Sequence, residues 1–171
     1  MKNIFVDGYN VINSWPELKI IKDYSLESAR SELIETLSNY SAYKGYKIFI
    51  VFDAHMVNGS VEKKEKFGNG NVIVVFTKEG ETADSFIERM INQVGRKFEV
   101  SVVTSDSLEQ QLVFQRGATR MSSIEFYHEI KGIERKIRSK IEKNYSKKKY
   151  SLEDMINKDI LEELEKIRRS N

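Results

Sequence analysis

"IFVDGYNVINSWPE", residues 4–17, carries three apolar residues straight into Asp7 and then passes through glycine and tyrosine to Asn10. A short apolar run of this kind reads as a β-strand, and the glycine-containing step after it as a turn. The interior of a strand excludes an unpaired charge, because taking a carboxylate out of water is costly. Asp7 is therefore paired, exposed at a strand tip, or placed to hold a cation. The Trp15-Pro16 step reads as irregular loop, since proline disfavours helix in the residue before it.

Working outward, Ser25 stands as an N-cap before Leu26, Ala29, Leu33, Leu37 and Tyr40, which recur at helical spacing until Gly45. Residues 46–55 form a second strand, again running into a carboxylate, Asp53. Residues 57–71 hold Gly59, Gly68, Gly70 and several lysines, which predicts a mobile loop or a hairpin tip. A third strand follows over 71–80. The next helix, from Glu81, lines one face with Ala83, Phe86, Ile87, Met90, Ile91 and Val94. A fourth strand over 98–106 ends at Asp106. A short helix (107–117), a brief fifth strand (118–122), a long basic helix (122–144), a hinge (145–151) and a last helix capped by Ser151 complete the chain.

The largely alternating order predicts an α/β fold: a three-layer sandwich with a mostly parallel central sheet and a C-terminal helical extension. The near-continuous apolar strands agree, because helices then cover both sheet faces. The expected division is a domain over 1–125 and a basic helical extension over 126–171.

Composition narrows the chemistry. The chain has 171 residues, no cysteine and two histidines, His55 and His128. Disulfides, thiolate zinc sites, cysteine nucleophiles and histidine-rich metal sites are thereby excluded. Asp7 interrupts any signal-peptide core, and no apolar run approaches the ~18 residues of a membrane span. A cytoplasmic protein with no membrane partner is expected. Net charge is only +2, but it is segregated. From Lys131 to Lys149, nine lysines and arginines stand against Glu134 and Glu142, a surplus of seven within nineteen residues. Such an arm suits an anionic partner or a solvated helix face.

Ligands of open α/β sheets bind beyond the carboxyl ends of the strands. Asp7, Asp53 and Asp106 stand at such ends, and Glu81 and Asp84 lie in the first turn after the third strand. Singly, each suits a turn or a helix N-terminus. Together they repel one another unless protons or cations compensate. Oxygen ligands without histidine or cysteine suit Mg²⁺ or Mn²⁺. No Walker-type glycine loop is present, and no second aspartate follows two residues after Asp7 as in haloacid-dehalogenase-type phosphatases. Phosphodiester hydrolysis remains.

"FVDGYNVI", "VFDAH", "FTKEGETADSFIE" and "VVTSD", in this order and spacing, resemble the YacP-like family of NYN domains within the PIN-like nuclease fold. The resemblance is strongest over residues 2–125. It implies a metal-dependent RNA endonuclease, and a link to the ribosome, because the family includes an endonuclease that cuts mRNA in the ribosomal A site. Carried onto this chain, Asp7, Asp84 and Asp106 are the expected catalytic metal ligands. Glu81 is a further ligand, Asn10 supports Asp7 by holding a water or a phosphate, and Asp53, Thr104 and Ser105 lie around them. Asn10 stands where another acid would bind metal more strongly, which implies a weak site or one completed by substrate phosphate. His55 and Trp15 fit a loop hydrogen bond and a core anchor better than direct roles.

On this reading the basic helix binds RNA or ribosomal RNA through Lys136, Lys140, Lys143, Lys147, Lys148 and Lys149, with Tyr145 and Tyr150 available to stack on bases or to pack. Two alternatives compete with the nuclease. One is a PIN-like module that holds RNA or the ribosome without cutting. The other is a small-molecule phosphohydrolase, disfavoured by the missing second aspartate and by the basic tail.

Overall fold

A computed structural model describes residues 2–54, 61–94, 98–105 and 118–169. The chain divides into two compact units, Met1–Ile130 and Lys131–Asn171. Among the described residues, no helix is long and apolar enough to cross a membrane.

The first unit is built on a six-stranded sheet. Its strands are β1 (Asn3–Asp7), β2 (Lys47–Phe52), β3 (Lys63–Phe67), β4 (Val72–Phe76), β5 (Val100–Val103) and β6 (Thr119–Met121). Their spatial order is β3-β4-β2-β1-β5-β6. Every pairing is parallel except β3 with β4. The mixed α/β sheet of the sequence reading is therefore present, with one antiparallel edge strand added. The four inner strands consist largely of buried β-branched and aromatic residues, as strands covered on both faces must.

Helices α1 (Gly8–Ser14), α2 (Pro16–Tyr24), α3 (Leu26–Lys44) and α4 (Ala83–Val94) flank the sheet elements. Ser25 caps α3 by accepting the Ser28 N–H at 3.1 Å, and Gly45 closes it with a left-handed φ of 70°. Helix α3 buries Ala29, Leu33, Leu37 and Tyr40. On the other face, Phe86, Ile87 and Ile91 of α4 pack with Phe5, Val51, Val75 and Val102. Successive strand residues point to opposite faces, so each strand feeds both cores.

Two expectations change and one narrows. Residues 8–24 are two helices rather than a turn and a loop. Pro16 occupies the first turn of α2, where its missing N–H costs nothing, while Trp15 takes the extended conformation required before proline. Residues 63–67 form a strand, paired from Lys63 with Phe76 to Phe67 with Val72, which narrows the expected loop or hairpin tip to a hairpin with a full outer strand. The expected hinge at 145–151 is helical, because α5 runs unbroken over Ser123–Arg169. That stretch holds no glycine or proline, and serine and lysine continue a helix at little cost. The expected helix over 107–117 lies outside the described residues, as do His55 and Asp106.

Gly8 illustrates how tightly α1 sits on the sheet. A Cβ there would fall inside van der Waals contact with the Phe52 ring. Phe52 is fully buried, packed against Tyr9 and stacked on Phe76, so it has nowhere to move. Gly8→Ala is expected to cost about 1–3 kcal/mol through overpacking. Urea unfolding should show a lower midpoint with an unchanged slope; an unchanged midpoint would contradict this packing.

Candidate active site

The sheet order places a crossover crevice beside β1. The chain leaves β1 for β2 on one side and later returns to β5 on the other. Ligand sites of open α/β sheets form at such a point, beyond the carboxyl ends of the strands. Asp7 ends β1 there, Asp53 follows β2, and Thr104 and Ser105 follow β5.

Asp7 is also the N-cap of α1, where its Oδ1 accepts the Asn10 N–H at 3.0 Å. This satisfies one donor at the open end of the helix. The carboxyl is nevertheless pushed up to about 6. Burial is the main cause, opposed by the Asn10 N–H and reinforced by the negative charges of Asp84 and Asp53. Two other carboxylates singled out in the sequence, Asp84 and Asp53, thus bear on Asp7 at this sheet edge. Asp53 additionally accepts the N–H of Ala83, holding the start of α4, and Asp84 follows in the first turn.

Asn10 does more than support Asp7. Its Oδ1 accepts both the Ser105 N–H at 3.1 Å and the Ser123 hydroxyl at 2.6 Å. It therefore ties the end of β5 to the start of α5 across the crevice. Thr104 is fully buried and extends the β5–β6 ladder by donating its N–H to Met121 O at 3.1 Å. Ser105 is exposed beside it. Trp15 is a core anchor: it is 4% exposed, and its Nε1–H donates to Ser123 O at 2.8 Å.

Glu81 is engaged elsewhere. Its Oε1 accepts from Arg89 Nε at 3.0 Å, and Arg89 also reaches Glu62 at 2.9 Å. Its Oε2 is buried with no hydrogen-bond partner among the described residues. Also among the described residues, no three His, Cys, Asp or Glu side chains converge closely enough to hold a metal ion. Asp106, the third expected ligand, lies outside them.

Lys136, Lys140 and Lys143 project from exposed positions of α5. Lys147, Lys148 and Lys149 lie on its helical backbone.

Ser123 and Arg89 were not singled out by sequence reasoning. Ser123 had a local signal: Ser122 and Glu125 form a reciprocal capping box, with bonds of 2.7 Å and 3.2 Å, that fixes the helix start beside it. Arg89 had none, because its partners come from two other segments.

The raised Asp7 carboxyl has a signed consequence. The folded protein holds a proton that the unfolded chain releases between pH 3.8 and about 6, so stability falls as pH rises through that window. Asp7→Asn keeps the acceptor for Asn10 and removes the buried charge. In chelator-containing buffer it is expected to be about 2–3 kcal/mol more stable than the parent at pH 7.5 and nearly equal to it at pH 4. Urea titrations at the two pH values check this, and a pH-independent difference would contradict it.

Comparison with known proteins agrees with this architecture. The sequence model of the YacP-like NYN domain matches residues 4–169. The YacP protein of Bacillus subtilis (strain 168) is 40% identical over 172 residues, spanning 100% of this chain and 99% of that protein. The crystal structure of Rae1 (YacP) from Bacillus subtilis superposes with a TM-score of 0.72 at 39% identity, covering 99% of this chain and 95% of the other. A single-substitution variant of the same protein gives 0.71 at 39% identity, over 85% of each chain. The chain belongs to the YacP-like NYN domain family, whose domains are of the nuclease type.

Proposed function

We propose that this protein is a divalent-metal-dependent endoribonuclease that cuts mRNA in association with the ribosome. The observation that carries the proposal is that Asp7, at the end of β1, Asp53, after β2, and Asp84, in the first turn of α4, stand at the carboxyl edge of the sheet, with Asp53 bonded to the start of the helix that carries Asp84. A buried carboxylate with two like-charged neighbours is stabilised by a bound cation, and an oxygen-only donor set fits Mg²⁺ or Mn²⁺. Asp7 and Asp84 would hold the ion together with Asp106, and the unpartnered Oε2 of Glu81 is a further donor within the same helix start. When bound, the metal supplies activation of water and stabilisation of charge on the phosphoryl oxygens.

The chain's own groups do the positioning. Asn10 locks β5 against α5 through its oxygen, and its amide N–H groups would be the donors for a water or a phosphate. Asp53 fixes the start of α4, and so the place of Asp84. The basic surplus of residues 131–149 supplies phosphate contacts that weaken with salt, and an RNA-rich assembly such as the ribosome offers the matching surface.

A second reading, a module that holds RNA without cutting, is favoured by the commitment of Glu81 to Arg89. The two readings separate in one assay. A labelled mRNA is incubated in a purified translation system with the parent, Asp7→Asn or Asp84→Asn, with ribosomes present or omitted. The parent should cut only with ribosomes, and each variant should cut at least about 100-fold more slowly. Calorimetric titration with Mn²⁺ should show binding to the parent and not to Asp7→Asn. RNA binding without cleavage by the parent under any metal would favour the module.

A further inference from the structure

We infer that the groove between α3 and the β3–β4 hairpin is a subsite for one unstacked RNA base adjoining the cleavage site, a step that rests on the nuclease reading above. The groove is an open cavity of about 570 Å³, within the ordinary range for a small-molecule site. Its two walls follow from element geometry. Glu27, Arg30, Ile34 and Ser38 recur at helical spacing and form one stripe of α3. Opposite them, alternate residues of the hairpin, Lys63 and Glu65 on β3 and Val74 and Phe76 on β4, share the sheet face turned toward that stripe. At 1.5 Å per residue, the helical stripe is about 16 Å long.

One end of the groove meets the carboxylate edge. Among the described residues the Arg30 guanidinium pairs with no carboxylate; it donates to the Tyr9 hydroxyl at 3.3 Å, two residues beyond Asp7, and lies over the Phe76 ring at 5.7 Å. Phe76 stacks on Phe52, the residue before Asp53. A strand of RNA whose phosphate sits at Asp7 and Asp84 therefore has Arg30 as its next cation and an aromatic floor immediately beyond it.

The chemistry of the groove selects its occupant. Phe67, 36% exposed, offers a ring to a flat base, and the Arg30 guanidinium lying over Phe76 offers a planar cation beside it; single-stranded RNA is read by stacking on aromatic rings or guanidinium planes and by its base edges. Glu27 and Glu35 stand exposed along the α3 rim, while Glu65 across from them is paired with Lys63 Nζ at 2.5 Å. Carboxylates only accept hydrogen bonds, so they select a base edge rich in N–H donors and reject one made of carbonyls. Guanine presents two adjacent donors on its Watson–Crick edge and fits a carboxylate in a forked pair; uracil offers one donor between two carbonyls.

The test measures binding by the non-cutting Asp7→Asn protein, using fluorescence anisotropy with labelled hexauridine and the same hexamer carrying a single guanine. The guanine hexamer should bind at least about fivefold tighter. Adding Ser31→Trp, which fills the groove from an exposed helix position, or the pair Glu27→Ala and Glu35→Ala, should erase that preference while circular dichroism stays unchanged. Equal binding of the two hexamers, or a preference that survives both changes, overturns the proposal. So does a lysine-rich peptide whose binding is lost on Ser31→Trp but which displaces no RNA, an outcome that would assign the groove to a basic peptide. Failure of the nuclease reading looks different: the parent cuts no RNA, yet the guanine preference and its loss persist. If the parent cuts and the filled groove changes neither base choice at the cut nor binding, the subsite falls and the nuclease stands.

Discussion

Asp7 ends a buried central strand, where a carboxylate is poorly solvated, and the Asn10 N–H at 3.0 Å is what opposes that cost. The same bond starts α1, so the turn that relieves the charge also sets the helix. Helix α1 in turn carries Asn10 to the crevice, where its oxygen joins Ser105 and Ser123. Asp53 repeats the device one strand away by taking the Ala83 N–H at the start of α4. Two strand-end carboxylates therefore anchor helix starts, Asp7 that of α1 and Asp53 that of α4. A substitution that removes the acceptor oxygen of such a residue changes a helix terminus as well as a charge, whereas asparagine changes the charge alone.

Most of the sheet was legible because its strands are continuous apolar runs bounded by polar residues. Helices α3 and α4 were legible for the same local reason: spacing, a serine cap and a terminal glycine for α3, and a single apolar stripe for α4. The elements that escaped have locally ambiguous signals. Trp15-Pro16 reads as a break and is one, but it is a break between two helices, because proline is as good a first-turn residue as it is a loop residue. Lys63–Phe67 carries a mostly charged pattern that only its pairing with the apolar β4 turns into a strand.

The site shows the same division. Asp7, Asp53 and Asp84 were recognisable as carboxylates at strand ends and a helix start, and the fold brings the charges of Asp53 and Asp84 to bear on Asp7. The roles of Asn10 and Glu81 were not readable. Asn10 depends on Ser105 and Ser123, 95 and 113 residues away. Glu81 depends on Arg89, which also reaches Glu62 from the segment before β3. That guanidinium lies over the Phe86 ring at 4.9 Å, so a core aromatic holds the cation where both carboxylates meet it. The segment before α4 and the hairpin are thus coupled through one side chain, a long-range relation that local periodicity does not encode.

The hairpin's outer strand is the sheet's antiparallel edge, and three of its five residues, Lys63, Lys64 and Lys66, are lysines. An unpaired edge offers a row of backbone donors and acceptors to any passing strand. Here an incoming strand must settle against ammonium groups on both sheet faces, where only another acidic strand would be tolerated. That edge of the sheet is consequently guarded against growing by self-addition, which matters in a crowded solution because an aromatic-lined groove lies beside it.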